Sequence, residues 1–175
     1  MTKGTVRAVT AVAALVVATG AAAQEESTNR VAVDTDWSAF MEEDPRVCWA
    51  VSSPKETVNT RDGEVVSVNR GDILLFVTYR PDQDVNGEIS FTGGYPFADD
   101  STVSVEVGDD TFQLFTDDDW AWPATPEDDA ALMEAFKAGA EAVVTGISAR
   151  GTTTQDTFSL FGFTAIAEAV EENCS

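Results

Sequence analysis

Hydrophobic and polar positions alternate in short runs beyond residue 36, a pattern typical of β-strands with one buried face. In residues 102–107 three valines share one side of the strand, whereas Ser104 and Glu106 share the other. Residues 73–77 are apolar on both sides, which predicts a central strand covered on both faces. The pattern predicts strands at residues 37–41, 47–53, 64–68, 73–80, 88–92, 102–107, 111–116, 142–149 and 153–160.

Short turns with glycine separate these runs, as at Asp62-Gly63, Asn86-Gly87 and Gly108-Asp109. Such residues tolerate the positive φ of tight hairpins, which join antiparallel strands. We therefore predict a mainly β fold, an antiparallel β-sandwich-like domain.

Two short helices interrupt the strands. The first is predicted to begin at Thr125, whose hydroxyl can cap the helix, with Pro126 in the first helical position, and to end at Gly139. Its apolar face consists of Leu132, Met133 and Phe136. The second helix, residues 164–173, is predicted to pack on the sheet through one stripe formed by Phe163, Ile166, Val170 and Cys174.

The first 23 residues have the organisation of a cleaved secretory signal. Lys3 and Arg7 precede an apolar run at residues 8–19, and three alanines then offer a cleavage site before Gln24. A retained membrane anchor is the alternative, but the apolar run is shorter than the ~20 residues of a bilayer span. Removal of the signal leaves a flexible leader at residues 24–35 and a single domain at residues 36–175.

Export places Cys48 and Cys174 in an oxidising compartment, where an even number of cysteines favours pairing. We predict a disulfide between them that pins the C-terminal helix to the sheet. Two free thiols or an intermolecular bridge are the alternatives.

The charge balance excludes several function classes. The chain has 175 residues with 31 Asp and Glu, 10 Lys and Arg and no histidine, for a formal net charge of −21. Catalysis that needs an imidazole is therefore absent, and binding to nucleic acid or an anionic membrane is disfavoured. A hydrophobic content of 43% still provides a sizeable core.

Two local patterns suggest binding chemistry. The spacing of Asp82, Asp84 and Asn86 matches the start of a calcium loop, but Gly93 occupies the twelfth position, where a glutamate ligand belongs. We favour an ordinary hairpin turn there and predict no metal site. Trp120 and Trp122 follow the acids at 117–119 and suggest a glycan-binding surface, although our preferred interpretation makes both tryptophans core anchors.

Several segments, in order, resemble the invasion-associated locus B family of exported alphaproteobacterial proteins. The resemblance covers most of the mature chain and rests on Cys48-Trp49-Ala50, Arg70-Gly71-Asp72, Gly93-Gly94-Tyr95-Pro96-Phe97, Trp120-Ala121-Trp122-Pro123, Asp156-Thr157-Phe158 and Gly162-Phe163-Thr164-Ala165.

The resemblance implies a small β-sandwich-like domain in the periplasm or at the cell surface, in a family linked to host-cell invasion. It supplies no catalytic motif, so we expect no enzymatic activity and no cofactor. We predict an exported binding protein whose partner is a protein or glycan of the envelope or host surface, with Tyr95, Trp120 and Trp122 as candidate contacts. A carboxylate-dependent glycan hydrolase and a purely structural envelope component are the alternatives.

Overall fold

A computed structural model describes residues 29–174, so the predicted signal segment and residues 24–28 lie outside the described residues. Within these residues, twelve strands and two α-helices follow one another. The elements are β1 Arg30–Asp34, β2 Trp37–Glu43, β3 Arg46–Ser52, β4 Glu56–Arg61, β5 Glu64–Val65, β6 Leu74–Arg80, β7 Val85–Thr92, β8 Thr102–Val107, β9 Asp110–Asp117, β10 Trp120–Trp122, α1 Pro126–Ala138, β11 Glu141–Ile147, β12 Thr153–Ser159 and α2 Phe163–Cys174.

The strands form one continuous antiparallel sheet, in the order β1-β2-β3-β6-β7-β10-β9-β8-β11-β12-β4-β5. The sheet folds over on itself. Phe91 on β7 and Phe158 on β12, which are far apart in the strand order, therefore meet edge to face with ring centroids 6.1 Å apart. This arrangement confirms the predicted antiparallel β-sandwich-like fold, and β6 is an interior strand of the sheet as predicted. The expectation that both of its faces are covered is wrong, because Leu74 and Phe76 on its outer face are only partly buried.

The inner face of the folded sheet holds the hydrophobic core, and both helices cover that face. Alternation along β8 buries Val103, Val105 and Val107, as the sequence pattern predicts. The helix α2 packs against β1, β2, β3 and β6, and α1 packs against β7 and β9. The outer face of β3, β6 and β7 has no helix on it among the described residues, which leaves it open to other contacts.

The helix boundaries follow from their capping residues. The Thr125 hydroxyl accepts a hydrogen bond from the Asp128 N–H at 3.2 Å, and Pro126 begins α1. Gly139 ends the helix, and its Cβ-free backbone fits against Val107 and Leu160. The predicted apolar residues of both helices are buried: Leu132, Met133 and Phe136 in α1, and Phe163, Ile166, Val170 and Cys174 in α2.

Cys48 and Cys174 form the predicted disulfide, with a Cα–Cα distance of 5.9 Å. Cys48 faces inward from β3 and is fully buried, and Cys174 lies on the buried stripe of α2. The bond therefore joins the last helix covalently to the inner face of the sheet.

Four strands differ from the sequence-based prediction. Trp120–Trp122 form β10, a short strand that was not predicted and that pairs with β7 and β9. Residues 30–34 of the expected leader form β1 by backbone pairing with β2. Glu56–Arg61 form β4 against β12, although this segment has no apolar alternation. The strand expected at residues 64–68 ends at Val65. No helix among residues 29–174 is long and apolar enough to cross a membrane.

Removing the disulfide should lower the free energy of unfolding. The bond closes a loop across 126 positions, which in the chain-entropy model contributes roughly 4–5 kcal/mol. We expect the C48A/C174A double variant to lose about 2–5 kcal/mol in urea denaturation. Dithiothreitol should destabilise the wild type to a similar extent and leave the variant unchanged, and equal unfolding midpoints of wild type and variant would contradict the expected role.

Candidate functional site

Aromatic side chains cover much of the outer face of the sheet. On β2 and β3, Phe40 stacks on Trp49 with ring centroids 5.5 Å apart. On β10 and β9, Trp122 stacks on Phe115 at 5.5 Å and lies 6.3 Å from Trp120. Each tryptophan of the outer face is half-buried, and Phe115 is 48% exposed. The outer face thus carries two aromatic stacks separated by β6 and β7.

The alternation of β10 determines which way its tryptophans point. Ala121 is fully buried and faces the core, so Trp120 and Trp122 on either side of it face outward. The interpretation of both tryptophans as core anchors is therefore wrong. Trp49 is oriented in the same way, because its neighbour Cys48 faces inward.

A cleft of about 370 Å³ lies between the two stacks. Trp49 forms one wall, and Trp120 and Trp122 form the other. Such a volume lies at the lower end of the ~300–1,000 Å³ typical of small-ligand sites. We call this space the aromatic cleft.

Polar groups accompany the rings of the aromatic cleft. The hydroxyl groups of Thr78 and Ser90 line it, and neither has a hydrogen-bond partner among the side chains and backbone of residues 29–174. At one end, Arg80 Nη2 and Glu88 Oε1 form an ion pair at 2.7 Å, with both side chains 30% exposed. The cleft therefore combines aromatic walls with free hydroxyls and one charged pair.

A half-buried carboxylate lies next to the aromatic cleft. Asp129 Oδ1, in the first turn of α1, accepts a hydrogen bond from the Ile89 N–H at 2.8 Å. Since β10 pairs with β7 only at Thr92 and Phe91, Asp129 substitutes for a strand partner at Ile89. Burial raises the pKa of Asp129 from 3.8 to about 6, and the charge of Glu88 adds to the rise.

A second polar cluster connects the two halves of the folded sheet. Arg70 donates two hydrogen bonds to the Asp156 carboxylate, at 2.7 and 2.6 Å, with side-chain exposures of 6% and 0%. Burial raises the pKa of Asp156, and the hydrogen bonds from Arg70 act against that rise. Arg70 also donates to the Gly93 carbonyl at 2.8 Å. The side chain of Arg70 thus joins two other segments on which the family resemblance rests, one containing Gly93 and the other containing Asp156.

Tyr95 belongs to this cluster. Its ring lies under the Arg70 guanidinium at 5.0 Å, and its hydroxyl shares a 2.5 Å hydrogen bond with Thr154. Burial raises the pKa of Tyr95. A groove of about 470 Å³ has both Tyr95 and Trp120 in its lining. Tyr95 is therefore separate from the aromatic stacks, but it lines a groove that reaches one of them.

Glycine is required where the segments of this cluster meet. Gly94 has a φ of +70°, and a Cβ there would lie 2.6 Å from the Gly71 carbonyl oxygen. The Gly71 N–H in turn donates to the Gly94 carbonyl at 2.8 Å. This close backbone contact sets the position of Tyr95.

Two of the calcium candidates, Asp82 and Asp84, lie in the turn between β6 and β7, whereas Asn86 is on β7 and pairs with Tyr79. The tight turn predicted at Asn86-Gly87 is therefore wrong, because the chain turns at residues 81–84 instead. Asp82, Asp84 and Asn86 are all exposed, and Asp84 has a φ of +56°. Among residues 29–174, no group of three or more carboxylate or cysteine side chains is arranged to hold a metal ion.

Sequence reasoning missed several residues that line the aromatic cleft. Trp49 could have been identified, because an inward Cys48 requires an outward neighbour. Phe76, Thr78 and Ser90 join the cleft only through the pairing of β3, β6 and β7. The sequence does not specify that pairing.

The fold and the site together define a class of protein: a disulfide-linked, folded antiparallel sheet with an aromatic outer face. The family model for Invasion associated locus B (IalB) protein matches residues 37–171, and the chain belongs to this family. The crystal structure of invasion associated protein B from Bartonella henselae is similar in fold, with a TM-score of 0.50 and 14% sequence identity over 79% of this chain and 94% of that chain. A comparison with curated proteins gives no match.

Breaking the ion pair between Arg70 and Asp156 should strongly destabilise the fold. The R70M variant leaves a buried carboxylate without its partner, so we expect a loss of about 3–5 kcal/mol in chemical denaturation. The R80M variant breaks the half-exposed pair with Glu88 and should cost at most about 1 kcal/mol. The R70M/D156L double variant should recover part of the loss, and an R70M loss no larger than that of R80M would contradict the assignment.

Asp129 should make stability depend on pH. Its raised pKa means that the folded chain binds the proton more tightly than the unfolded chain. The resulting stabilisation is complete below about pH 4 and is lost as the pH rises through about 6.

The D129N variant keeps the oxygen that accepts from Ile89, so it should match the wild type near pH 4. After allowance for partial solvent screening, it should be more stable by about 1–2 kcal/mol near pH 7.5. Unfolding curves across this pH range measure the difference. E127Q, an equal charge change at an exposed position of the same turn, should show little pH dependence relative to wild type. A constant difference between D129N and wild type would refute the raised pKa.

Proposed function

We propose that this chain is an exported, non-enzymatic binding protein of the cell envelope, and that its partner is a glycan held in the aromatic cleft. One observation carries the proposal: two aromatic stacks flank a cleft whose strands offer free hydroxyl groups. Aromatic rings pack against the apolar C–H faces of sugars, and hydroxyls and charged groups bind sugar hydroxyls.

Two observations support export. The first 23 residues have the pattern of a secretory signal, and a disulfide between Cys48 and Cys174 is stable in oxidising compartments. These features support a location in the periplasm or at the cell surface. The invasion named in the family description is consistent with contact between this surface and a host or envelope glycan.

A glycan-binding panel with tryptophan fluorescence and calorimetry tests the proposal. Because Trp49, Trp120 and Trp122 line the cleft, a bound glycan should change the fluorescence. The W49A and W122A variants should each weaken binding at least tenfold, the equivalent of about 1.4 kcal/mol.

The F161A variant is the matched control. It removes an aromatic side chain that is 63% exposed in the turn before α2 and should leave binding unchanged. Glycan binding that survives both W49A and W122A would place the site elsewhere. A panel without any binding would refute a glycan partner.

One observation favours a second candidate, a glycan hydrolase that uses carboxylates. Asp129 and Glu88 line a groove of about 530 Å³ together with Trp122 and Phe115, and the pKa of Asp129 is raised to about 6. A carboxylic acid with a raised pKa near a second carboxylate is the arrangement of a general acid and its partner in glycosidases. We propose binding without hydrolysis because Asp129 and Glu88 both have structural partners, Ile89 and Arg80.

Reducing-end release from the bound glycans separates the two candidates. We expect none above background. Release by the wild type that is lost in both E88Q and D129N would establish the hydrolase instead.

A further inference from the structure

Another cavity adjoins the Arg70 cluster and is separate from the aromatic cleft. It has a volume of about 430 Å³ and lies between the end of β4, the loop before β6, the segment after β7 and the turn from β11 to β12. Three arginines line it: Arg61, Arg70 and Arg150. We call it the arginine pocket.

The charge of the arginine pocket is opposite to that of the chain. The sequence contains ten Lys and Arg residues and 31 Asp and Glu residues. Three of the ten basic residues nevertheless line this one pocket, and no Asp or Glu lines it. The charge of Arg70 is balanced by Asp156 behind the wall. Arg61 and Arg150 form no ion pair within the described part of the chain. Two uncompensated guanidinium groups therefore border one cavity.

Arg61 and Arg150 are both exposed, so water screens their charges, but two guanidinium groups without an acidic partner in residues 29–174 still lie at one cavity of a strongly acidic chain. Two like charges at one cavity repel each other, whereas pairing with any of the abundant acids would be favourable. Instead Arg61 Nη2 donates to the Thr152 hydroxyl at 2.5 Å, which holds its guanidinium at the pocket. Arg150 is placed there by the tight turn at Gly151, which has a φ of +73°. An anion is the group that would relieve the repulsion.

We propose that the arginine pocket binds a sugar-sized molecule that carries a carboxylate or phosphate group. Guanidinium groups match the geometry of both oxyanions and bind them through paired, charge-assisted hydrogen bonds. Tyr95, Thr152 and Thr154 add hydroxyls to the lining, and Val68 and Pro96 add apolar surface. A volume of about 430 Å³ suits a small ligand and exceeds what a bare inorganic anion needs.

This site is independent of the aromatic cleft. The two cavities share no lining residue. Arg70 lines the arginine pocket, is paired with Asp156 behind it and lies over the Tyr95 ring, so Arg70 acts as a positioning residue rather than as a free ligand group.

Calorimetry with four probes at constant ionic strength tests the proposal: glucuronate, glucose 6-phosphate, glucose and inorganic phosphate. We expect both acidic sugars to bind at least tenfold more tightly than glucose and than inorganic phosphate. The R61Q and R150Q variants should each weaken their binding about tenfold or more, since each removes a charge-assisted contact. Higher salt should weaken binding further.

Two controls separate this site from other effects. K137Q removes an equal charge from α1, away from the pocket, and should leave binding unchanged. W122A alters the aromatic cleft and should also leave binding of the acidic sugars unchanged. The two proposed sites can therefore be tested separately, because a variant of one site should not affect binding at the other.

Several results would overturn the proposal. They are no heat from either acidic sugar at about 10 mM, equal affinity for glucose, or full binding by the R61Q/R150Q double variant. Equal affinity for inorganic phosphate and glucose 6-phosphate would overturn the sugar component.

Discussion

The buried pair of Arg70 and Asp156 is the interaction on which the arrangement of the loops depends. Both side chains are removed from water, so each compensates for a charge that would otherwise be costly to bury. Arg70 comes from the loop before β6 and Asp156 from β12, so the pair forms only when the sheet has folded over. Arg70 also donates a hydrogen bond to the Gly93 carbonyl, which holds the segment that presents Tyr95. The interior pair thus shapes the surface on both sides of that segment.

The two faces of the sheet have different roles because the helices are confined to one of them. The disulfide from Cys48 to Cys174 holds α2 on the inner face, where the core residues need cover. The outer face of β3, β6 and β10 consequently carries the half-buried rings of Trp49, Phe76 and Trp120. These rings leave apolar surface partly exposed to solvent, and clustered exposed apolar surface in stable domains commonly serves recognition.

Much of the fold could be predicted from local features of the sequence. The contacts between residues far apart in the sequence could not. The valines of residues 102–107, the Thr125 cap and the cysteine pair each carry their own signal in the sequence. The strand Glu56–Arg61 carries none, because it is held by backbone pairing to β12 and its side chains do not alternate. Trp120 and Trp122 lie on a strand of three residues, too short for a period that distinguishes inside from outside. Arg70 and Asp156 are 86 positions apart, and nothing in the sequence selects this pair among so many acids.

The ends of the sheet limit how this domain can associate with itself. Among the described residues the outermost strands are β1 and β5, and an edge strand offers unpaired backbone groups to any neighbouring chain. Here β5 has only two residues, and β1 is interrupted by a bulge between Arg30 and Ala32. Short and irregular edges give a second molecule little backbone to pair with, so growth of the sheet into fibrils is disfavoured at both ends. A domain that is rich in strands can therefore remain dispersed at high local concentration.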